Sequence, residues 1–200
     1  MTLLEIIKYT GTFVFALTGA LKARKYQMDI FGGLVVAFAT AYGGGTVRDL
    51  LLGVGRVNWV NDYFALGLVF AGAIITFLVK EGVNKFSKTI FFTDAIGLGL
   101  FTVAGIEVAL QNDVNETYAL IMGVISATFG GLIADIFCNA VPNLFKKGEL
   151  YATACAIGGA IYLLLSKTII DTNLNLLICV ILIVTIRVYS KRNRLQLPNI

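Results

Sequence analysis

Long apolar stretches take up most of this chain and restrict it to one class of protein. A transmembrane helix needs about 20 mostly apolar residues, and seven stretches of roughly that length follow one another: 3–21, 28–54, 60–79, 90–110, 116–140, 149–166 and 173–190. Only 14% of the residues are charged, against about 25% in a soluble domain. The sequence therefore predicts an all-α membrane protein with seven transmembrane helices and no soluble domain.

The basic residues predict the orientation of these helices. Twelve of them fall in every second loop or in the C-terminal tail: Lys22, Arg24, Lys25, Lys80, Lys85, Lys88, Lys146, Lys147, Arg187, Lys191, Arg192 and Arg194. The alternate loops hold two, Arg56 and Lys167. Basic loops stay in the cytoplasm, so we expect a multi-pass protein of the cell (inner) membrane with its N-terminus outside and its C-terminus cytoplasmic. The net charge of +4 is explained in this way and does not indicate nucleic-acid binding.

The residues at the predicted membrane surfaces suggest contacts with lipid. We expect the basic C-terminal segment R-V-Y-S-K-R-N-R, which includes Arg187, to meet anionic headgroups. Tyr151 and Trp59 are typical of the aromatic belts at the two interfaces. Membrane lipid is thus one predicted partner.

The chain also contains an internal duplication. A shift of 86 residues aligns its two halves without a gap, matching Gly44 with Gly130, Gly45 with Gly131 and Asp49 with Asp135. Each copy holds three spans, and an odd number of spans makes the second copy enter the membrane from the opposite side. We predict an inverted 3+3 repeat plus one additional helix, with units at 1–86, 87–170 and 171–200. Transporters and channels built from such repeats place polar sites near the midplane.

Tandem glycines lie halfway along the second and fifth spans, at Gly43–Gly45 and Gly130–Gly131. Glycine costs roughly 1 kcal/mol per residue in a helix interior, so a bend or local unwinding is expected at both places. Thr40, Ser126 and Thr128 lie beside them and could line a wet lumen. The alternative is that the glycines only let helices pack closely.

Charged residues inside the spans are the other candidates for function, because they are costly in hydrocarbon. Arg48 and Asp49 follow the first glycine cluster, and Asp135 follows the second. Arg48 and Asp49 are adjacent and so point about 100° apart on a helix; we expect a partner for Arg48 from the other repeat, with a purely structural ion pair as the alternative. Asp94 and Lys8 are equivalent residues near the starts of spans 4 and 1, and Asp94 could simply cap its helix.

Enzymatic chemistry is not indicated. The chain has no histidine, and its three cysteines, Cys138, Cys155 and Cys179, are widely spaced within apolar spans. An odd number of cysteines without close spacing argues against a disulfide framework or a metal site. We predict a protein that is not an enzyme and has no catalytic residue, metal or cofactor.

The motifs D-I-F-G, G-G-G-T-V-R-D-L-L-L-G and, in the second copy, G-G-L-I-A-D-I-F and P-N-L-F-K-K-G-E-L-Y-A resemble a bacterial membrane family with a duplicated "glycine transporter" domain. These proteins are the prokaryotic relatives of the trimeric intracellular cation (TRIC) channels. The resemblance implies a homotrimer in which every protomer has its own pore for monovalent cations, chiefly potassium, between kinked helices 2 and 5. It also implies that Gly43–Gly45 and Gly130–Gly131 are hinges.

One position departs from the pattern of the family. Members often carry arginine in the second motif as well, where this chain has Ala134. One motif arginine then faces two motif carboxylates, and we expect a net negative lumen that favours cations. The competing hypothesis is a carrier of a small zwitterion such as glycine, in which Arg48 binds the carboxylate and an aspartate the ammonium. The missing second arginine favours the channel.

Overall fold

The computed structural model describes residues 2–57, 59–78, 83–147 and 149–198. Within these ranges the chain forms seven α-helices and no strand: α1 Leu3–Lys25, α2 Ile30–Leu52, α3 Tyr63–Leu78, α4 Val83–Leu110, α5 Glu116–Phe137, α6 Ala152–Leu165 and α7 Thr172–Asn193. Five of them are long and apolar enough to cross a membrane, while α3 and α6 are apolar but shorter. The predicted all-α class with seven apolar helices is confirmed.

The helices start and end close to the predicted positions, except that α4 begins at Val83 instead of near residue 90. The predicted unit boundary at 86/87 therefore falls in the first turn of α4, and the three unit boundaries stay predictions. Lys80 lies outside the described residues, as does the side chain of Lys85.

Equivalent capping residues begin the second helix of each repeat. The Asp29 carboxylate accepts a hydrogen bond from the Gly32 backbone N–H at 2.7 Å and starts α2. The Asn115 side chain, 86 residues later, accepts from the Tyr118 N–H at 3.1 Å and starts α5. A side-chain oxygen at this position satisfies a backbone donor that the helix leaves unpaired. The two copies thus share local signals as well as apolar patterns.

The core places the two repeats around a common two-fold axis. The rings of Phe15 and Phe101, which are equivalent residues, stack with centroids 5.0 Å apart and planes at 9°. Gly97 lies against the Phe15 ring, and its equivalent Gly11 lies against the Phe101 ring. Reciprocal contacts of this kind define a two-fold relation between two copies. Since each copy has three helices, the relation inverts one copy relative to the other.

The arrangement of the remaining helices follows from this centre. Helices α1, α2, α4 and α5 contact one another in pairs. Helix α3 packs on α1 and α2, and α6 packs on α5 and α4. Helix α7, which has no copy in the first half, packs against α4 and α6.

Helices α2 and α5 are both continuous through their glycines. Gly43–Gly45 and Gly130–Gly131 lie in uninterrupted α-helix, so the predicted local unwinding is wrong. The intrinsic cost of glycine is small beside the packing that these two helices gain, and tertiary packing stabilises most helices.

The glycines instead let α2 and α5 touch backbone to backbone. A side chain added at Gly44 would overlap the Ser126 carbonyl oxygen, and one added at Gly130 would overlap the Thr40 carbonyl oxygen. Gly44 and Gly130 are equivalent, and so are Thr40 and Ser126, which makes the contact reciprocal and the two helices antiparallel. Close packing, the alternative reading of the tandem glycines, is what the structure describes for Gly44 and Gly130.

Replacing Gly44 with alanine is therefore expected to destabilise the protein. Overpacking costs typically 1–3 kcal/mol, so we expect the Tm of Gly44→Ala in detergent to fall by roughly 2–10 °C. Gly45→Ala is the matched control, because a methyl group there would meet only the Arg48 Nη2 atom at 3.7 Å. Equal Tm values for the two variants, measured by thermal unfolding, would contradict this account of the contact.

Candidate functional site

Two polar cavities lie at opposite ends of α1. The first has a volume of about 240 Å³ and is lined by Lys8, Arg48 and Asp49 among others. The second, of about 210 Å³, is lined by Lys22, Asp94, Asp135 and Arg187 among others. Lys8 and Lys22 are fourteen residues apart on one helix, which is about 21 Å at 1.5 Å per residue. Asp49 and Asp135 are equivalent residues, as are Lys8 and Asp94, so the two cavities are related by the internal two-fold axis.

In the first cavity Arg48 binds its own neighbour. The Arg48 Nε and Nη2 atoms donate to the Asp49 Oδ1 atom at 2.8 and 2.6 Å, and both residues are buried. The prediction that these adjacent residues pair poorly is wrong, because the long arginine side chain turns back along the helix surface. The same guanidinium also reaches the other repeat, where its Nη1 atom donates to the Ser126 Oγ atom at 3.1 Å.

In the second cavity Asp135 pairs with a lysine from α1. The Lys22 Nζ atom lies 2.9 Å from the Asp135 Oδ1 atom, with both side chains nearly inaccessible. The backbone N–H of Asn143 donates to the Asp135 Oδ2 atom at 2.9 Å. The expected cross-repeat pair therefore exists, but it involves Lys22 instead of Arg48. Lys22 was predicted to be one of the basic loop residues, but it lies within α1.

Asp94 belongs to the same cavity and does not cap its helix, since it lies in the interior of α4. Its Oδ2 atom is 3.4 Å from the Arg187 Nη2 atom, and its Oδ1 atom accepts a hydrogen bond from the Tyr151 hydroxyl at 3.2 Å. Arg187 also pairs with Glu149 at 3.1 Å and lies over the ring of Tyr151, 4.7 Å from its centroid. Arg187 and Tyr151 are both buried, so their assignment to the lipid-facing tail and to an interfacial belt is wrong.

The buried charges of the described part of the chain are balanced. The cations are Lys22, Arg48 and Arg187, and the anions are Asp49, Asp94 and Asp135. The excess of negative charge predicted from the motif alone is therefore not found there. Lys22 of α1 pairs with Asp135, and Arg187 of α7 pairs with Asp94.

The small and hydroxylated residues named in the sequence lie between the two cavities. The Thr40 hydroxyl donates to the Val36 carbonyl at 2.6 Å and the Thr128 hydroxyl donates to the Val124 carbonyl at 2.7 Å. Both hydroxyls, like that of Ser126, are buried. Gly43 faces the end of the Ile133 side chain, and Gly131 faces the Tyr151 hydroxyl. The contact between α2 and α5 thus separates Asp49 from Asp135, each of which lies five residues, or about 7.5 Å along its helix, beyond the glycine that makes the contact.

Sequence reasoning missed Lys22, Arg187 and Glu149 as members of the site. A signal was present for the first two. Lys22 continues the buried stripe of Phe15 and Gly19 at helical spacing, and Arg187 continues that of Cys179 and Ile183. A basic residue on the apolar face of a helix predicts a buried partner. No comparable signal marks Glu149, which lies in the segment between α5 and α6.

The fold and its paired polar cavities define a membrane protein of inverted-repeat design. A family profile described as "Glycine transporter" matches residues 5–81 and again residues 91–167. The second match is displaced from the first by the 86 residues that relate the two halves. The chain therefore belongs to this family of bacterial membrane proteins.

Curated relatives carry no assigned activity in their names. The chain is 40% identical over 159 residues to a UPF0126 membrane protein of Vibrio cholerae, a match that covers 79% of this chain and 66% of that protein. It is 38% identical over 153 residues to the UPF0126 inner membrane protein YadS of Escherichia coli, covering 76% of this chain and 73% of that one.

Among solved structures the fold matches a channel. The TRIC trimeric intracellular cation channel orthologue from Rhodobacter sphaeroides is 30% identical, with a TM-score of 0.87, and the match covers 98% of this chain and all of that one. The fold is thus that of the TRIC channels, as the sequence motifs predicted. That neighbour is not an enzyme, which agrees with the expected absence of enzymatic chemistry.

Removing the guanidinium of Arg187 is expected to destabilise the protein strongly, because it leaves Asp94 charged and buried. Breaking a buried ion pair on one side costs about 3–5 kcal/mol, and we expect Arg187→Met to lower the Tm by roughly 6–20 °C. Lys167→Met is the control, since it breaks an exposed pair with Glu116 that contributes about 0–1 kcal/mol. Thermal unfolding of both variants in the same detergent tests the difference. A Tm for Arg187→Met within a degree of the control would mean that Asp94 is satisfied without this arginine.

Proposed function

We propose that this protein is a channel for monovalent cations, chiefly potassium, with one pore in each protomer between α2 and α5. The observation that carries the proposal is the pair of polar cavities holding the equivalent carboxylates Asp49 and Asp135 on opposite sides of the contact between Gly44 and Gly130. Two polar cavities separated by a close contact between two helices suit a conduction path that opens by a small separation of those helices. The likeness to a TRIC cation channel supports the same function.

The residues at the barrier suit a cation that sheds water. The carbonyl oxygens of Thr40 and Ser126 face the glycines of the opposite helix, and the hydroxyls of Thr40, Ser126 and Thr128 lie nearby. Rings of carbonyl and hydroxyl oxygens replace the hydration shell of potassium in selective pores. In this proposal the helices present little side-chain bulk around the contact, because Gly43, Gly45 and Gly131 have no side chain. Helices α2 and α5 open the path by moving apart as rigid bodies, without unwinding.

The charged residues form weak binding sites for ions along the path. Asp49 and Asp135 are neutralised by Arg48 and Lys22 in this structure, so neither holds a permeant ion tightly. Conduction needs sites that attract an ion without retaining it, and paired carboxylates meet that need. Lys8 and Asp94, at equivalent positions in the two cavities, then make the two entrances electrostatically different.

We also propose a homotrimer embedded in the cell inner membrane, with the N-terminus outside, the C-terminus in the cytoplasm and lipid against the outer helices. The trimer is supported by the likeness to the trimeric channel and the orientation by the positive-inside rule. A native mass measurement in detergent tests the first, with a complex of three chains as the expected result. Labelling, in intact cells, of single cysteines introduced at either terminus of the protein tests the orientation.

A carrier of a small zwitterion such as glycine is the second candidate. The first cavity favours it, because it holds the cations Lys8 and Arg48 close to carboxylates and to the Tyr42 hydroxyl. That hydroxyl is buried and has no hydrogen-bond partner among the described residues. Against this reading, the Arg48 guanidinium is already committed to Asp49 and Ser126.

Purified protein in proteoliposomes and planar bilayers separates the two functions. We expect unitary currents whose reversal potential follows the potassium gradient and is unaffected by glycine. Saturable uptake of labelled glycine in the absence of such currents would instead establish the carrier. Empty liposomes and protein denatured before reconstitution are the controls.

Arg48→Ala is expected to change the unitary conductance or the open probability. The substitution leaves Asp49 without its two hydrogen bonds from Arg48 and adds one net negative charge to the first cavity. An extra charge several ångströms from the path is worth on the order of 1 kcal/mol in a partly hydrated site, or about fivefold in conductance. Arg56→Ala, outside the helices, is the control. Single-channel records identical to those of the unmodified protein would return Arg48 to a packing role.

A further inference from the structure

Ala134 breaks the symmetry of the two motifs without leaving a carboxylate unpaired. It stands where the first repeat has Arg48, and yet Asp135 has a cation at 2.9 Å in Lys22. Lys22 arrives from α1, whereas Arg48 is part of the same helix as Asp49. Among the described residues Lys22 is the basic side chain in salt-bridge contact with Asp135.

The position equivalent to Lys22 completes the pattern. Residue 108 on α4 is the counterpart of residue 22 under the shift of 86, and it is a valine. The first cavity is lined by Arg48 of α2, and the residue equivalent to Lys22 is the apolar Val108 of α4. The second cavity is lined by Lys22 of α1, and the residue equivalent to Arg48 is the apolar Ala134 of α5. Both cations therefore come from the first repeat, Arg48 from α2 and Lys22 from α1, and the apolar residues Val108 and Ala134 of the second repeat are both buried.

We propose that Lys22 takes the place of the missing second motif arginine and determines the charge of the path beside Asp135. The cation has moved from α5 to α1 while the carboxylate stayed, so Asp135 is neutralised by Lys22 only as long as α1 and α5 remain together. In the first cavity both members of the ion pair, Arg48 and Asp49, lie on α2 and move together with it. Lys22 thus determines ion selectivity. Its ammonium group lines the second cavity, where it neutralises Asp135 as Arg48 neutralises Asp49 in the first cavity.

The relocation can be tested by reversing it. Lys22→Met keeps the length of the side chain and removes the charge, and we expect it to lower the Tm in detergent by roughly 6 °C or more. Lys25→Met is the matched control, because Lys25 lies one turn further along α1 and lines the same cavity but is exposed; we expect it to change the Tm by less than about 2 °C. Similar Tm values for these two variants would overturn the proposal.

Two double variants distinguish charge from packing. Lys22→Met with Asp135→Asn removes both charges and is expected to recover at least half of the lost Tm. Lys22→Met with Ala134→Arg restores the arrangement of the first repeat and is expected to recover a similar part. If the neutral pair recovers nothing, the loss comes from packing and Lys22 is not an electrostatic counterpart of Arg48. If the neutral pair recovers and the arginine variant does not, Lys22 neutralises Asp135 but does not replace the motif arginine, and the relocation is rejected.

Conduction provides the second readout, and this part alone rests on the proposed channel function. In bilayers with a salt gradient, Lys22→Met is expected to raise the permeability ratio of potassium to chloride by at least about threefold, since the path gains one net negative charge. The Ala134→Arg double variant should return the ratio toward the original value, and Lys167→Met, which removes an exposed charge outside both cavities, should leave it within about 1.5-fold. An unchanged ratio in Lys22→Met, with currents present, would overturn the role in selectivity. A lack of current in every variant would count against the channel itself, while the Tm series would still decide whether Lys22 replaces the arginine.

Discussion

The backbones of α2 and α5 touch directly, and this contact sets the positions of the surrounding helices and of both cavities. The Ser126 carbonyl oxygen packs against Gly44, and the Thr40 carbonyl oxygen packs against Gly130. Because the contact is reciprocal, it aligns the two helices antiparallel around the internal axis and brings the equivalent rings of Phe15 and Phe101 face to face. It also decides that the carboxylates after each glycine cluster lie on opposite sides of the crossing, in separate cavities. Any side chain larger than hydrogen at these two positions would push the helices apart.

The buried charges form a second constraint, because each buried charge among the described residues has an opposite charge nearby. A buried ion that loses its partner costs several kcal/mol, so an ion pair between two helices holds those two helices together. Arg48 stays within α2, Lys22 links α1 to α5, and Arg187 links α7 to α4 and to the segment containing Glu149. The ion pairs of Arg187 therefore join α7, which stands outside the duplication, to the second repeat.

The two halves have consequently kept their geometry and diverged in their chemistry. Helix caps, glycine contacts, the central aromatic stack and the motif aspartates are all repeated at the same spacing. The cations are not repeated: the first cavity relies on its motif arginine, and the second relies on α1 and α7. An inverted duplication that was chemically symmetric would present the same surface to both sides of a membrane, and this divergence makes the two entrances different.

The class of protein, the number of helices, the duplication and the key glycines and aspartates can all be predicted from the sequence. Those features depend on local composition and on spacing along the chain. A sufficiently long apolar run forms a helix, and Asp29 and Asn115 cap the helices that follow them. The duplication is visible because a shift of 86 residues aligns the two copies. The packing of the helices was needed to establish that Gly43–Gly45 leave α2 unbroken, that Arg48 pairs with Asp49, and that Lys22, Arg187 and Tyr151 are buried. These outcomes depend on which helix lies against which, and a side chain long enough to reach several neighbours has its partner chosen by that packing and not by its place in the chain.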